Sequence, residues 1–519
     1  MAQKALKYVV LIPLIILSVI SFKLLYKAPE TKILLNQTTN GDETRYIDKR
    51  GSFGKGLKKT KEGLVDPEAF AQVVRTVNTR SIEEFNKIPW GVQPPLIIYN
   101  TLRWAIAENV MGKEVWLQVT PPPPTVASSE KASEVVELYW HALLRDIPFT
   151  QYATNERVAV ATEDLSRCSD FKGPKVNDKV TAQTLFRTTF DGVLEGPYVS
   201  QFFYYDIPLE DEAKLSQRYT TQQATLSNEF MTSLEEWRFI ELGNQPVRKI
   251  TYDPKKRYIC TMRDLGNYVH MDPPQWHFLC TQLILLGFGQ EALKQGAPAL
   301  TPSLQPAQTE FCKLHLGGLV SLCTEMTSRA AWYQKWFIHR SLRAEEYAYL
   351  VDQQIKNIFD AGLHEDVINS QAAQEIFALN SQLNNGEGTY LLPQMYPEGC
   401  PLHPSYPSAH GSVAGGCITI LKAFFNEDFV FAKPVIPNAD GSALEAYKGE
   451  PLTIGHELNK FAMNIAFARN MAGVHYRCDA VEAMLMGEKI ALALLADWAK
   501  TNNMHFTLKK FDGTSVSIG

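Results

Sequence analysis

Apolar residues recur at intervals of three and four along most of the chain, which is the periodicity of amphipathic helices. Between residues 132 and 144, Val135, Leu138, Tyr139, Ala142 and Leu143 follow it. The same pattern predicts further helices at residues 96–111, 209–242, 274–294, 318–349, 367–383, 412–425, 458–470 and 479–500. Strand-like alternation is confined to short segments such as 158–161 and 247–252. We therefore expect a mainly α fold with few short strands.

Breaks in this pattern divide the chain into four parts. The polar stretch 32–66, rich in Gly, Lys and Thr, is typical of a linker or an extended arm, and Pro121 to Pro124 separate two helical patterns. We predict a terminal segment at 1–30, an arm or linker at 31–95, a first helical bundle at 96–300 and a second at 301–519. No glycine-rich loop follows a strand, which argues against a nucleotide-binding α/β fold.

The N-terminus has the features of a targeting segment. Lys4 and Lys7 precede an apolar run at 8–22, and Lys23 and Lys27 follow it. The run is short beside the about 20 apolar residues of a membrane span, and no small-x-small cleavage site follows it. A signal anchor is therefore favoured over a cleaved signal peptide or a buried helix. We expect membrane contact only through this segment, with the catalytic part outside the cytoplasm, membrane-anchored or secreted (periplasmic or extracellular).

Composition excludes several classes of function. With 519 residues, 45% hydrophobic and 21% charged, the chain can bury a sizeable active site. The net charge of -5 is well mixed and leaves no basic stripe, so nucleic acid is not an expected partner. Its 8 cysteines include no C-x-x-C pair, which argues against zinc, iron–sulfur or dithiol chemistry and favours buried thiols, with or without a disulfide.

The first of three chemical motifs is the stretch 335–343, in which Lys335 and Arg343 lie on a helical pattern. An ideal helix would place them about 12 Å apart along its axis and roughly 80° apart around it. Long side chains can still converge from such positions. Taken alone, the pair is more typical of a solvated basic face.

The second motif spans 403–412 and contains His403, Ser408 and His410. Pro407 and Ser408 mark the start of a helix, where backbone N–H groups and the helix dipole attract an anion. The small residues at 413–416 would let a ligand approach the backbone. The alternative is an ordinary helix cap with His410 as a core histidine.

In the third motif, 469–479, Gly473 is expected to end the helix that carries Arg469, so that His475 turns back toward the same site. The three motifs together supply three cations, neutral donors and one imidazole nitrogen. That set suits a tetrahedral oxyanion, which needs charge neutralisation, forked donors and one axial ligand. His410 remains to move protons.

These blocks resemble the signature of the vanadium-dependent haloperoxidases, whose site architecture is shared with the acid and lipid phosphatases. The seven residues between Lys335 and Arg343, and a histidine at 403, are similar to the algal and bacterial bromoperoxidase branch. Upstream blocks at 137–149, 196–202 and 263–272 extend the resemblance over roughly 96–497. It implies two four-helix bundles with the site in the C-terminal one, and a homo-oligomer.

The resemblance also implies a role for each motif residue. His475 would bind vanadium, and the vanadate oxygens would accept hydrogen bonds from Lys335, Arg343, Ser408, Arg469 and the backbone N–H of Ala409. His410 would be the acid–base group for hydrogen peroxide, and Lys335 would donate to a peroxide oxygen. Asp272 would pair with Arg469, and Trp332 and His403 would shape the halide side of the pocket.

Two positions depart from the family pattern. Ala409 stands where the family has glycine, and Ala344 stands where it has proline. If the glycine conformation requires a positive φ, Ala409 would lower vanadate affinity. Neither change removes a side chain that binds the oxyanion, so we expect activity to survive.

The implied function is that of a haloperoxidase with vanadate as its cofactor. Vanadium would act as a Lewis acid, so that hydrogen peroxide oxidises bromide or iodide to hypohalous acid, which halogenates an organic acceptor. One alternative is an acid or lipid phosphatase in which His475 forms a phosphohistidine. Another is a non-catalytic oxyanion-binding protein, with Ala409 as the sign of a decayed site.

Overall fold

Fifteen α-helices and three small sheets make up the part of the chain described by a computed structural model, which covers residues 37–92, 104–107, 109–209, 212–271, 273–294 and 313–519. The helices are α1 (Asp42–Arg45), α2 (Pro67–Thr79), α3 (Ile82–Phe85), α4 (Ser129–Leu144), α5 (Glu156–Arg167), α6 (Leu234–Glu241), α7 (Met262–Tyr268), α8 (Trp276–Gly287), α9 (Lys313–Tyr333), α10 (Ala344–Ile355), α11 (Glu365–Ile368), α12 (Gln371–Leu383), α13 (Ala409–Phe424), α14 (Ile454–Met471) and α15 (Arg477–Asn502). The prediction of a mainly α fold is confirmed.

Each sheet is a pair of short antiparallel strands. Strands β1 (Ile207–Pro208) and β2 (Lys214–Leu215) pair, as do β3 (Val435–Pro437) with β4 (Leu444–Ala446) and β5 (Phe506–Lys509) with β6 (Ser515–Ile518). In the longest pair Phe506 lies opposite Ile518. Two- to four-residue strands of this kind decorate a helical body rather than form its core.

Four helices near the C-terminus form a bundle with α13 at its centre. Helix α13 packs against α9, α14 and α15, and the last of these contacts is the most extensive. Glycines allow the approach: a Cβ on Gly415 or Gly487 would collide with backbone carbonyl oxygens of the facing helix. The small residues at 413–416 were expected to admit a ligand. They instead bring α13 against α15, because helix axes can approach closely only where side chains are absent.

A second group of helices surrounds α4, which packs against α5, α10, α11 and α12. It therefore mixes helices from both sides of the division predicted at residue 300. That division itself falls in the stretch 295–312, outside the described residues, and stays a prediction. The residues from Thr39 to Gly519 form one compact unit.

The described part of the predicted arm packs onto this body. Phe53, Leu57, Val65 and Phe70 form an apolar cluster with Trp336. Leu57 also pairs by a β-bridge with Trp90, and Ser52 with Ser341. The polar composition of this stretch therefore reflects an extended arm held by side-chain anchors, not a free linker.

Several predicted elements differ in the structure. Among the described residues of the predicted helix 209–242, only Leu234–Glu241 is α-helical. Residues 158–161, expected as a strand, lie in α5, where the Asn155 side chain caps the helix by accepting from the N–H groups of Arg157 and Val158. Residues 247–252 form no ladder, only an isolated bridge between Tyr252 and Gln222. The predicted helix 96–111 lies mostly outside the described residues.

The predicted helix 318–349 is broken in the middle. Helix α9 ends at Tyr333, a π-helical turn follows at Gln334–His339, and Arg340 adopts a left-handed conformation with φ 43°. Arg343 then serves as the N-cap of α10. Lys335 and Arg343 thus belong to different helical segments, and the geometry expected for one ideal helix is wrong.

Within the described part of the chain, every helix is too short or too polar to span a bilayer. The predicted targeting segment at 1–30 lies outside that part. The seven described cysteines are all buried, as the sequence predicted, and no disulfide joins them.

Candidate active site

Lys335 lies in the π-helical turn and is fully buried. Its Nζ donates hydrogen bonds to the carbonyl oxygens of Pro404 at 2.7 Å and Ser405 at 2.6 Å. An ammonium group has three N–H donors, so one remains after these contacts. The turn therefore aims the lysine at the loop that precedes α13.

Arg343 connects that loop with the third motif. Its Nε donates to the His403 carbonyl at 2.7 Å, and its Nη1 donates to the Val474 carbonyl at 2.7 Å. The same Nη1 lies 3.4 Å from His475 Nε2, and Nη2 lies 2.9 Å from His403 Nδ1. The break in the predicted helix is what turns this side chain toward both histidines.

Ser408 begins the central helix of the bundle, as predicted. Its Oγ accepts a hydrogen bond from the Gly411 N–H at 3.2 Å. Ala409 follows as the first residue of α13 and is absent from the described residues with positive φ. Alanine at this position therefore carries no backbone strain, and the N–H groups of the first turn, which have no acceptor inside the helix, remain suited to an anion.

Arg469 comes from the last turn of α14 and is 6% exposed. Its Nη1 donates to the Val269 carbonyl at 3.1 Å and to Tyr396 Oη at 3.4 Å, and its guanidinium lies over the Tyr396 ring at 5.2 Å. Arg469 Nε is buried and has no hydrogen-bond partner among the described residues. Asp272, the predicted partner of Arg469, lies outside those residues.

His475 is brought to the site by the end of α14, as Gly473 predicted. The helix ends at Met471, and Gly473 adopts φ 87°. His475 Nδ1 then lies 2.7 Å from the Asp479 carboxylate. A carboxylate accepts only, so Nδ1 carries the proton and Nε2 keeps its lone pair, directed toward Arg343.

Three aromatic side chains form the more open side of the site. The rings of Trp332 and His403 lie 4.5 Å apart at 60°, and both residues are half-buried. His410, the second residue of α13, is half-buried as well. Besides burial and the three cations, His410 also lowers the pKa of His475, so it lies within electrostatic range of that imidazole.

The site is electropositive, and its cationic side chains are buried. Burial and the neighbouring Arg343 lower the pKa of Lys335 well below its usual value, against an opposing effect of Asp479. Burial, Arg343 and Lys335 also hold the pKa values of His475 and His403 well below the usual imidazole value. Both imidazoles are therefore neutral near pH 7, and the cations repel one another in the absence of an anion.

The structure thus brings together Lys335, Arg343, Ser408, Ala409, Arg469, His475, His410, His403 and Trp332, the predicted set apart from Asp272. Sequence reasoning gave no role to Asp479, Ser405 or Tyr396. Asp479 had a detectable signal, because an acid three residues after a helix N-cap can accept from the N-cap N–H. Tyr476 is the N-cap of α15, and its N–H donates to Asp479 in this way. No local pattern marked the other two.

Asp479 forms hydrogen bonds to several chain segments of the site. Its Oδ2 accepts from the Tyr476 N–H at 3.2 Å, from His475 Nδ1 and from Ser405 Oγ. Its backbone carbonyl accepts from the Ser408 N–H at 2.9 Å. The residue therefore joins the imidazole to the loop that binds Lys335 and to the cap of α13.

Comparisons with known proteins agree with this arrangement. Residues 366–503 match the family model described as the VCPO second helical-bundle domain. The chain is also similar to a solved homohexameric structure of the second vanadate-dependent bromoperoxidase from Ascophyllum nodosum. That likeness has a TM-score of 0.86 at 28% identity, over 96% of this chain and 90% of that one.

Curated relatives extend the similarity along nearly the whole chain. A vanadium-dependent bromoperoxidase from Ascophyllum nodosum is 31% identical over 93% of this chain and 88% of the relative. Another from Corallina officinalis is 30% identical over 96% of this chain and 94% of the relative. By these matches the chain belongs to the family of the vanadium-dependent bromoperoxidases.

Proposed function

We propose that the protein is a vanadium-dependent haloperoxidase that oxidises bromide or iodide with hydrogen peroxide to hypohalous acid, which halogenates an organic acceptor. The observation that carries the proposal is the convergence of Lys335, Arg343 and Arg469 on His475, whose Nδ1 is committed to Asp479. Family membership supports the same activity.

The residues fit a tetrahedral oxyanion. Arg469 has a buried Nε without a partner among the described residues, and Lys335 has one N–H beyond its two carbonyl contacts. The first turn of α13 adds backbone donors. His475 Nε2, with its lone pair, would bind the metal of the oxyanion. An oxyanion would relieve the repulsion between the three cations, which gives vanadate binding its driving force.

Bound vanadate would supply a Lewis-acid centre that activates hydrogen peroxide toward attack by halide. Lys335 would donate its remaining N–H to an oxygen of the bound anion, and Arg343 and Arg469 would neutralise its charge. His410 would take a proton from hydrogen peroxide at an imidazole nitrogen and would later return it to the oxygen that leaves as product. Trp332 and His403 would form the side from which halide approaches.

Vanadate loading followed by bromination of monochlorodimedone or monobromodimedone, with hydrogen peroxide and bromide, tests the proposal. We expect turnover only with all three reagents, and repetition with chloride and iodide gives the halide preference. A parallel phosphate-ester assay should show little hydrolysis. Hydrolysis without bromination would support the phosphatase alternative, and oxyanion binding with neither activity would support a binding protein.

Two variants assign the roles within the site. His475→Ala should abolish vanadium retention, because the imidazole that would hold the metal is lost, and a variant that kept both metal and activity would contradict the assignment. His410→Ala should retain vanadium and lose about 10²–10⁴-fold in turnover, the usual contribution of a positioned acid–base group. Vanadium content per protein and initial rates distinguish the two results.

We further propose that the protein acts outside the cytoplasm, anchored or secreted through its first 30 residues, and assembles as a homo-oligomer. The lysine-flanked apolar run supports the first proposal, and the homohexameric bromoperoxidase from Ascophyllum nodosum supports the second. Fractionation of cells that express the full chain tests the location. Light scattering tests the assembly, and a monomeric mass would contradict it.

A further inference from the structure

The N-terminal arm carries a buried lysine, Lys55, between Phe53 and Leu57 of the arm's apolar cluster. The Lys55 side chain is 2% exposed. Its Nζ donates to Glu345 Oε1 at 2.6 Å and to the Glu398 carbonyl at 2.7 Å. Burial of an ammonium group is unfavourable unless its hydrogen bonds are satisfied, so these contacts hold both partners firmly in place.

One partner lies next to Arg343. Glu345 is the second residue of α10, the helix that Arg343 caps, and its side chain is 1% exposed. A change at Lys55 would therefore alter the packing at the start of α10, which positions Arg343.

The other partner belongs to the segment 396–400, which supports Arg469. Glu345 Oε2 accepts from the Cys400 N–H at 2.7 Å, so Lys55 and Glu345 bind this segment at two points. Tyr396, four residues earlier, carries the Arg469 guanidinium on its ring and donates from Oη to the Gly266 carbonyl at 2.6 Å. The segment leads directly into the loop of His403 and Ser408.

Space at this junction is already filled. A Cβ on Gly399, which has φ 65°, would collide with Glu345 Oε2 and lie 3.1 Å from Lys55 Nζ. The backbone therefore touches the Lys55–Glu345 pair directly. Movement of either side chain would displace the segment, because close-packed interiors transmit small shifts.

We propose that Lys55 is a positioning residue for the oxyanion site: it joins the start of α10 to the segment 396–400 and so fixes Arg343 and Arg469 relative to each other. The inference rests on the proposed function, because it concerns the affinity of that same site. It also gives the N-terminal arm a part in the active site, although no side chain from the described part of the arm belongs to the proposed oxyanion site.

The test uses the metal-free full chain and calorimetric titration with orthovanadate and with inorganic phosphate. The informative variant is the double substitution Lys55→Met with Glu345→Gln, which removes both members of the pair together. We expect vanadate affinity to fall about 10–100-fold, the usual cost of removing a group that orients a metal site. The phosphate affinity should fall in parallel.

Lys294 and Glu427 provide a matched control. Lys294 Nζ donates to Glu427 Oε2 at 2.8 Å and to the Thr507 carbonyl at 2.7 Å, and Glu427 Oε1 accepts from the Lys509 N–H at 3.1 Å. This pair repeats the contacts of Lys55 and Glu345 at a place that touches no residue of the site. Lys294→Met with Glu427→Gln should lose comparable thermal stability and keep its oxyanion affinity.

The outcomes separate the two proposals. Wild-type protein that binds vanadate, beside a Lys55/Glu345 variant that binds it equally well, would overturn the positioning role alone. Equal losses of affinity in both double variants would also overturn it, since the effect would then be a general loss of stability. Wild-type protein that binds no oxyanion would overturn the proposed function, and the positioning role with it.

Discussion

His475 and Asp479 form a pair in which geometry alone decides which imidazole nitrogen is available. Asp479 Oδ2 lies 2.7 Å from Nδ1, and the Ser405 and Tyr476 donors hold the carboxylate from other directions. The carboxylate cannot donate, so the proton stays on Nδ1. The same arrangement recurs wherever a histidine binds a metal through its second nitrogen.

Asp479→Asn should therefore impair vanadate binding, although the asparagine side chain has nearly the same size and shape as the aspartate. The asparagine amide can donate to Nδ1, which would favour the tautomer with its proton on Nε2, so that Nε2 could no longer bind a metal. We expect about 10–100-fold weaker vanadate binding by calorimetry, with ¹⁵N shifts of labelled histidine reporting the tautomer. Asp428→Asn, at an exposed carboxylate paired with Lys509, is the control. Equal affinity in the two variants would argue against this role.

Gly399 is a second position at which a small change should have a large effect. Alanine there combines a positive φ with a collision against Glu345 and Met231. We expect Gly399→Ala to lower the free energy of unfolding by about 1–3 kcal/mol and to weaken oxyanion binding. Urea unfolding and calorimetry measure the two effects. Gly362→Ala has a similar φ of 70° and open space around it, so it should show only the backbone cost.

At the scale of elements, the start of α13 explains why Ala409 is tolerated. The residue is helical and its N–H remains available, so the glycine of the family pattern is not required by this backbone. The sequence analysis expected strain only if the backbone at residue 409 had a positive φ, and a φ value cannot be obtained from sequence alone.

Ala409→Gly should consequently leave vanadate affinity within about threefold of wild type, and it should lower the free energy of unfolding by about 0.5–1 kcal/mol, the usual preference for alanine over glycine in a helix. Calorimetry and urea unfolding provide the two measurements. A gain in affinity of tenfold or more would mean that the alanine methyl group hinders the anion.

Periodicity predicted the helices that are long, apolar and capped by their own sequence. Helices α4, α13 and α15 were predicted within a few residues, because their apolar positions and caps lie within the element. The break at Arg340 was not predicted. It is held by the arm: the Phe53 N–H donates to the Arg340 carbonyl at 2.9 Å, and Arg340 Nε donates to the Glu43 carboxylate at 2.8 Å.

The candidate site also depends on contacts between residues that are distant in sequence, which local patterns do not predict. Each cation and histidine was predicted from its motif, and the structure brings them together. Lys55 lies 290 residues from Glu345, so no local pattern could link the two. Contacts of that separation depend on the packed fold, and they decide how the motif residues are held rather than which residues they are.

At the scale of the whole molecule, the buried charges of the arm should control how stability depends on pH. Lys55 and Lys59 face three carboxyls, those of Glu241, Glu345 and Glu346. Two lysines cannot neutralise three carboxylates, so one carboxyl retains its proton. Burial and the neighbouring Glu241 raise the pKa of Glu345 to about 8.

A carboxyl whose pKa rises on folding binds its proton more tightly in the folded state. Its contribution to stability is complete below its ordinary pKa of 4.5 and is lost as the pH rises to about 8. We expect Glu345→Gln to flatten the fall in the free energy of unfolding over that range, as measured by urea unfolding at several pH values. Glu375→Gln, at a carboxylate paired with the half-exposed Arg157, should leave the slope unchanged.

An enzyme that releases hypohalous acid must outlast its own product, and the placement of sulfur in this chain bears on that. All seven described thiols lie inside the protein, and burial raises the pKa of Cys168 and Cys280 to about 12, which keeps them in the unreactive protonated form. Among the described methionines only Met271 is largely exposed, at 87%. It follows Val269, whose carbonyl accepts from Arg469. Oxidative wear during turnover should therefore begin as a sulfoxide at Met271, beside the source of the oxidant, while the interior remains reduced.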